Sequence, residues 1–174
     1  MRCRELLDDA FVRIPAEVRH AVVGLDRDAL TWQPEPGANP IGWLVWHLTR
    51  VQDDHVADLA GREQTWFEGG WAARFGLPEA TTDIGYGHSL EQVRSVRPEG
   101  VEVLLEYLDE VTSRTRAFLT TIDTDDLDRV IDTSWDPPVT MGVRLISVIS
   151  DSLQHAGQAA YLRGILDRTV HAQP

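Results

Sequence analysis

Apolar residues recur at three- and four-residue steps along four long stretches of the chain, the spacing of amphipathic α-helices. The first stretch runs from about Cys3 to Val23, with Leu6, Leu7, Ala10, Phe11, Ile14, Val18 and Val22 in register. Pro15 inside it predicts a kink or break, and Gly24 a stop. The second opens on Asn39-Pro40, an N-cap residue followed by proline at the first helical position. It continues through Trp43, Leu44, Trp46, His47, Val51, His55 and Leu59 to Gly61. The third covers about Glu99 to Ile122, and the fourth about Thr140 to Leu166. Four such helices predict an all-α fold, a four-helix bundle.

The connections differ in kind. Residues 62–98 join the second and third helices by a long loop rich in glycine, threonine and aromatics (Trp66, Phe67, Trp71, Phe75, Tyr86). A connection of that length in a compact domain is often a lid or binding loop. Ser89-Leu90-Glu91-Gln92 within it matches a capping box and predicts a short helix. The second long connection, Asp123 to Val139, carries Trp135-Asp136-Pro137-Pro138. A weak echo relates the halves: Leu25 to Leu30 resembles Ile122 to Leu127, and each precedes a helix that bears a histidine on an apolar background. If it reflects a duplicated helix pair, His47 and His155 face one core from related positions.

At 174 residues the chain is one domain, read as residues 1–168 with a tail at 169–174. No run approaches the roughly 18 apolar residues of a membrane span, and the N-terminus has no signal-peptide pattern, so a cytoplasmic protein is expected. One cysteine, Cys3, forms no internal disulfide and makes no zinc finger. The net charge of −12 argues against nucleic acid and anionic lipid as partners, and the 16 basic residues, all arginine, are spread singly. Without lysine there is no Schiff-base chemistry.

Histidine and carboxylate chemistry remains. Asp151 and His155 are four residues apart and share one helix face, a natural bite for a metal ion. One more histidine from a facing helix gives two imidazoles and a carboxylate, which leaves a coordination position open. His47, set among Trp43, Leu44, Trp46 and Leu48, is the candidate third ligand. His55 lies about 12 Å farther along the same helix, too far to share an ion with His47. The plain alternatives are a hydrogen-bonded core histidine and an intrahelical ion pair. His20 and His171 read as surface or terminal residues, and His88 as a loop residue. No G-x-S-x-G elbow, phosphate-binding loop or H-E-x-x-H motif is present.

Asn39-Pro40-Ile41-Gly42-Trp43-Leu44-Val45-Trp46-His47-Leu48-Thr49-Arg50, followed by Asp151-Ser152-Leu153-Gln154-His155-Ala156-Gly157-Gln158, resembles the DinB-like superfamily. It is most similar to the branch of mycothiol-dependent maleylpyruvate isomerase and related thiol transferases. The resemblance implies an up-down-down-up bundle and a divalent metal, zinc or nickel, with His47 and His155 as ligands. The position of the isomerase branch's glutamate is Asp151 here, one methylene shorter. It further implies mycothiol or a similar low-molecular-weight thiol as cosubstrate, with transfer to, or isomerisation of, a small electrophilic substrate. Gln158 and Trp46 would line or support such a site, and Arg50 and Arg144 are positional candidates for holding a substrate carboxylate. A homodimer is expected on the same grounds and from the Trp-rich loop. Two alternatives stay open: a metal-dependent small-molecule hydrolase, and a non-catalytic bundle acting as a binding module.

Overall fold

The four periodic stretches become α1 (Cys3–Val22), α3 (Ile41–Ala60), α7 (Val101–Leu119) and α8 (Met141–His171). Between them lie α2 (Arg27–Thr31), α4 (Thr65–Glu68), α5 (Trp71–Arg74) and α6 (Leu90–Ser95). A 3-10 turn at Asp125–Asp128 and a two-stranded antiparallel ribbon, β1 (Val130–Asp132) and β2 (Val139–Thr140), lead into α8. The structure, a computed structural model, describes residues 2–79 and 81–171. The side chains of residues 170 and 171 and the end of the expected tail, residues 172–174, lie outside the described residues.

Side-chain pairs fix the helix directions. Arg116 reaches Asp8 at 2.7 Å and Arg19 reaches Asp109 at 2.5 Å, so α1 and α7 are antiparallel. Gly42 lies against Pro98, while Gln52 donates to Thr115 at 2.9 Å farther along, so α3 and α7 run parallel. His47 faces His155 and His55 faces Arg144, so α3 and α8 are antiparallel. The chain is an all-α, up-down-down-up four-helix bundle, in which α3 and α1 each pack on both α7 and α8.

The ends of the elements show where local signals yield to packing. α1 continues through Pro15, whose ring is buried; packing against α7 and α8 outweighs the roughly 3 kcal/mol that an interior proline costs. α3 starts one residue later than the Asn39 cap predicts, because the first helical bond, from the Leu44 N–H, ends on the Pro40 carbonyl. It stops at Gly61, at φ 62°. The capping box at Ser89 and Gln92 forms both of its hydrogen bonds and opens α6. α8 runs well past Leu166.

The long connection is not an exposed aromatic loop. Trp66 and Phe75 are fully buried and Trp71 is half-buried against Tyr107, so this segment completes the core. Its anchor is Asp53 on α3, which is also buried: Oδ1 accepts the Thr65 N–H at 2.9 Å and Oδ2 the Trp66 N–H at 2.8 Å, capping α4 from outside its own segment. α3 is therefore buried on nearly every side, a central strut rather than a surface helix.

Candidate metal centre

Where α3 crosses α8, His47, Asp151 and His155 offer ligand atoms that all lie within 4.8 Å of one another. The four-residue spacing on α8 sets Asp151 Oδ1 at 3.6 Å from His155 Nε2. The two imidazole rings meet edge to face, with centroids 4.7 Å apart. His47 is 2% exposed, whereas Asp151 and His155 are partly open, so the centre is closed on the α3 side and accessible on the α8 side. Trp43 stacks flat on His47 at 4.7 Å and meets His155 edge-on at 6.2 Å.

Both histidines are held in one tautomer. The His47 Nδ1–H donates to the Ile84 carbonyl, and the His155 Nδ1–H donates to Gln158 Oε1 at 2.8 Å. With each Nδ1 facing an oxygen acceptor, the proton belongs there and the Nε2 lone pair is free. Metal-ligating histidines are oriented in this way by their outer hydrogen bonds. Burial pushes the His47 pKa below its ordinary value, and the neighbouring His155 and His88 add to the shift against the Ile84 carbonyl and Asp151; the ring is kept neutral. The Asp151 carboxylate, 3.6 Å from His155 Nε2, pushes the His155 pKa up, helped by Gln158 and opposed by burial. A cation set between Asp151 and His155 would take the place of the proton that this pair favours.

Asp151 supplies a direct test of fit. Its Oδ2 is buried and has no hydrogen-bond partner. An unsatisfied buried carboxylate oxygen is costly, and a carboxylate grouped with two imidazoles is a donor set that suits a divalent cation. The carboxylate, one methylene shorter than glutamate, still reaches the cluster.

A strap of residues 81–89 closes one side of the centre. Thr81 is tied by the Trp66 indole N–H at 2.9 Å, and Thr82 and Asp83 carbonyls accept from Arg50 at 3.4 Å. Asp83 accepts the Gly85 N–H at 2.8 Å and pairs with His88 Nε2 at 2.6 Å. His88 Nδ1 in turn accepts the Trp43 indole N–H at 3.1 Å, and the ring stacks on Trp46. Gly85, at φ 104°, passes so close to His47 that a Cβ would stand 2.6 Å from Nδ1. Tyr86, 60% exposed, sits edge-on over the His47 ring.

The other sequence candidates are distributed differently. His55 lies outside the cluster and accepts from Arg144 at 3.0 Å; burial, then Arg144, push its pKa down. Arg144 also reaches Asp132 at 3.4 Å. Arg50 is fully buried and bonded to Gln64, Tyr107 and the strap, so it is a structural cation and not a substrate clamp. Gln158 supports His155, and Trp46 is buried beneath His88. Sequence reasoning missed Asp83, Ile84 and Gly85. The Gly-Tyr-Gly at 85–87 was the available signal, but a carbonyl acceptor has no residue code.

Comparison with known proteins agrees with this fold. No curated protein matches the chain. The crystal structure of a conserved protein from Enterococcus faecalis superposes with a TM-score of 0.86 at 30% identity, over 94% of this chain and 96% of that one. A sequence model of the mycothiol-S-transferase family matches residues 6–168, and the chain belongs to that family.

Proposed function

We propose that the chain is a metal-dependent thiol S-transferase in which His47, Asp151 and His155 hold a divalent cation, zinc or nickel. Its cosubstrate is mycothiol or a similar small thiol, and its second substrate a small electrophile. The observation that carries the reading is the pairing of two tautomer-fixed imidazoles with the unsatisfied Oδ2 of Asp151, at the positions where the family resemblance puts the ligands. A cation held there would bind the thiol and lower its pKa below the free value of about 8.5, so that the nucleophilic thiolate is present at neutral pH.

The protein's own groups do the rest. His47 is kept neutral by burial, and Asp151 provides the one formal negative charge of the ligand set. Trp43 and the strap keep water from the His47 side, which leaves approach from the Asp151–His155 edge beside Tyr86. The transfer forms one bond, from thiol sulfur to electrophilic carbon. The thiol proton ends on the adduct in an addition, or leaves with the departing group in a substitution. A reducing cytoplasm suits such a thiol and the free, exposed Cys3.

Elemental analysis of protein purified without a polyhistidine tag, beside the His47→Ala variant, tests the reading. About one zinc or nickel per chain, lost in the variant, together with turnover that requires added thiol, is the expected result. Absence of metal in both, even after incubation with excess zinc, overturns it; turnover that proceeds without thiol would make water the nucleophile.

A further inference from the structure

Two helical turns from the metal centre, a second opening lies along the same pair of helices. His55 follows His47 by eight residues on α3, and Arg144 precedes Asp151 by seven on α8. Because the helices are antiparallel, both steps lead the same way, to a point about 11 Å from the centre. There Asp54, His55, Asp58, Arg62, Gln64 and Arg144 line a cavity of about 370 Å³. The fold thus brings together two arginines from distant parts of a chain whose net charge is −12.

Neither guanidinium is saturated. Arg62 Nη1 reaches the Glu63 carbonyl at 3.3 Å, and its Nη2 is buried without a hydrogen-bond partner among the described residues. An unmet donor on a buried guanidinium is costly. Arg144 has one neutral partner and one loose one. A guanidinium only donates, so at 3.0 Å it gives a hydrogen bond to His55 Nδ1, and the His55 proton belongs on Nε2. Burial, then Arg144, push the His55 pKa down, so the imidazole adds no charge of its own. The Asp132 carboxylate stands 3.4 Å from Arg144, longer than a charge-assisted bond. It is anchored instead by the Ser134 N–H at 2.9 Å and the Ser134 hydroxyl at 2.6 Å. Of the acids in the cavity wall, Asp54 accepts the Gln64 amide at 2.7 Å and Asp58 is exposed; neither pairs with Arg62 or Arg144 among the described residues.

We propose that this cavity is the carboxylate subsite for the second substrate, and that the electrophile is an anion held by Arg144 and Arg62. The proposal rests on the thiol S-transferase reading, which puts sulfur on the metal. The two-turn separation then sets the length of the electrophile: its carboxylate stands several bonds from the carbon that sulfur attacks. Two guanidinium forks match the paired oxygens of a carboxylate. The nearby charges of Asp54 and Asp58 disfavour a doubly charged phosphate more than a singly charged carboxylate. The strap ties the two places together. Burial and Asp151 raise the Tyr86 pKa, Arg144 opposes the rise and Asp54 adds to it, so the Tyr86 hydroxyl lies within reach of charges at both the centre and the cavity.

Two measurements on the whole chain test the proposal. The first needs no turnover: hexanoate is titrated into the metal-free protein and followed by the arginine Nε–H resonances in NMR. Millimolar binding is expected, weakened at least 10-fold by Arg144→Gln and by Arg62→Gln, with hexanamide as the uncharged control that does not bind. The second compares 4-fluoro-3-nitrobenzoate with 4-fluoro-3-nitrobenzamide as electrophiles for mycothiol on the zinc-loaded protein. Sulfur bonds to the ring carbon, fluoride leaves with its bonding pair, and the thiol proton passes to solvent. After correction for the uncatalysed rates, kcat/KM should favour the benzoate at least 10-fold, and Arg144→Gln should remove that preference through KM. Arg62→Gln cuts the same subsite from its other wall and serves if Arg144→Gln does not fold. Absence of hexanoate binding, or a wild-type enzyme with no benzoate preference that the variants remove, overturns the proposal and leaves the thiol-transfer reading standing. Variant-sensitive hexanoate binding without thiol-dependent turnover of either electrophile supports the carboxylate site and overturns the thiol-transfer reading instead.

Discussion

Two polar clusters sit on the same buried helix, three to six residues apart, and they differ in what is left unpaired. Around Arg50 and Asp53 both charged groups are fully engaged. Both Asp53 oxygens accept backbone N–H groups of α4, the Tyr107 hydroxyl donates to Oδ2 at 2.9 Å, and the Arg50 guanidinium lies 3.7 Å away with Gln64, Tyr107 and two strap carbonyls as acceptors. Burial, with the nearby Asp53 charge, raises the Tyr107 pKa well above its ordinary value, so the phenol stays a donor. Around His47, by contrast, only the outward nitrogens are bonded, while His47, Asp151 and His155 offer ligand atoms within 4.8 Å of one another and Asp151 Oδ2 has no partner. The same residue chemistry yields a structural network where it is saturated and a candidate ligand set where it is not.

The largest effect should come from breaking the saturated cluster. Asp53→Ala leaves Arg50 buried without its counter-charge and uncaps α4. A loss of about 3–5 kcal/mol in unfolding free energy is expected, measured by urea denaturation of the metal-free protein. A loss below about 1 kcal/mol would mean that this network is not the anchor of the long connection.

Asp151→Asn makes the opposite cut. It removes the charge from the open cluster at nearly constant volume, so the unfolding free energy of the metal-free chain should change by less than about 1 kcal/mol. Zinc affinity should fall at least 100-fold, about 2.7 kcal/mol, read by competition with a chromophoric chelator. Asp151→Glu restores the carboxylate of the isomerase branch and should retain metal. Stripping metal from the wild type should lower its melting temperature, since a ligand present at 100 times its dissociation constant contributes about 2.7 kcal/mol; the Asn variant should show almost none of this response.

The contrast also shows what a sequence can display. The helices were legible because burial on one face writes a 3.6-residue period. Asp151 and His155 were legible because a four-residue step on a helix is a geometric statement, and His47 because an imidazole among tryptophans stands out. The Arg50–Asp53 network was not, since its meaning depends on α4 arriving from twelve residues downstream, a long-range contact with no local signature. The short helices α4 and α5 were hidden for the same reason. The strap's contacts with His47 are made by a main-chain carbonyl and a missing Cβ, neither of which a residue code displays.

Gly85→Ala tests that missing Cβ. The new methyl would stand 2.6 Å from His47 Nδ1 and 3.0 Å from Trp43, at a φ that L residues disfavour, so the strap must move. Backbone strain of this kind costs about 1–3 kcal/mol. Displacing the Ile84 carbonyl also frees the His47 tautomer, and a 10- to 100-fold loss of metal affinity should accompany the loss of stability. An unchanged affinity would show that the strap covers the centre without orienting it.

Gln158→Leu should give the smallest effect and the cleanest separation. The side chain is exposed, so its removal should leave unfolding free energy within about 0.5 kcal/mol of wild type. What it removes is the acceptor that fixes His155 Nδ1–H, and with it the barrier to the tautomer that buries the lone pair in the wrong direction. Metal affinity should drop about 10-fold, the lower end of what outer hydrogen-bond partners contribute to metal sites. Gln158→Glu keeps an acceptor at that position and should restore most of the affinity. If Leu and Glu variants bind metal equally well, Asp151 alone orients His155, and the open cluster is ordered by its ligands rather than by the hydrogen bonds behind them.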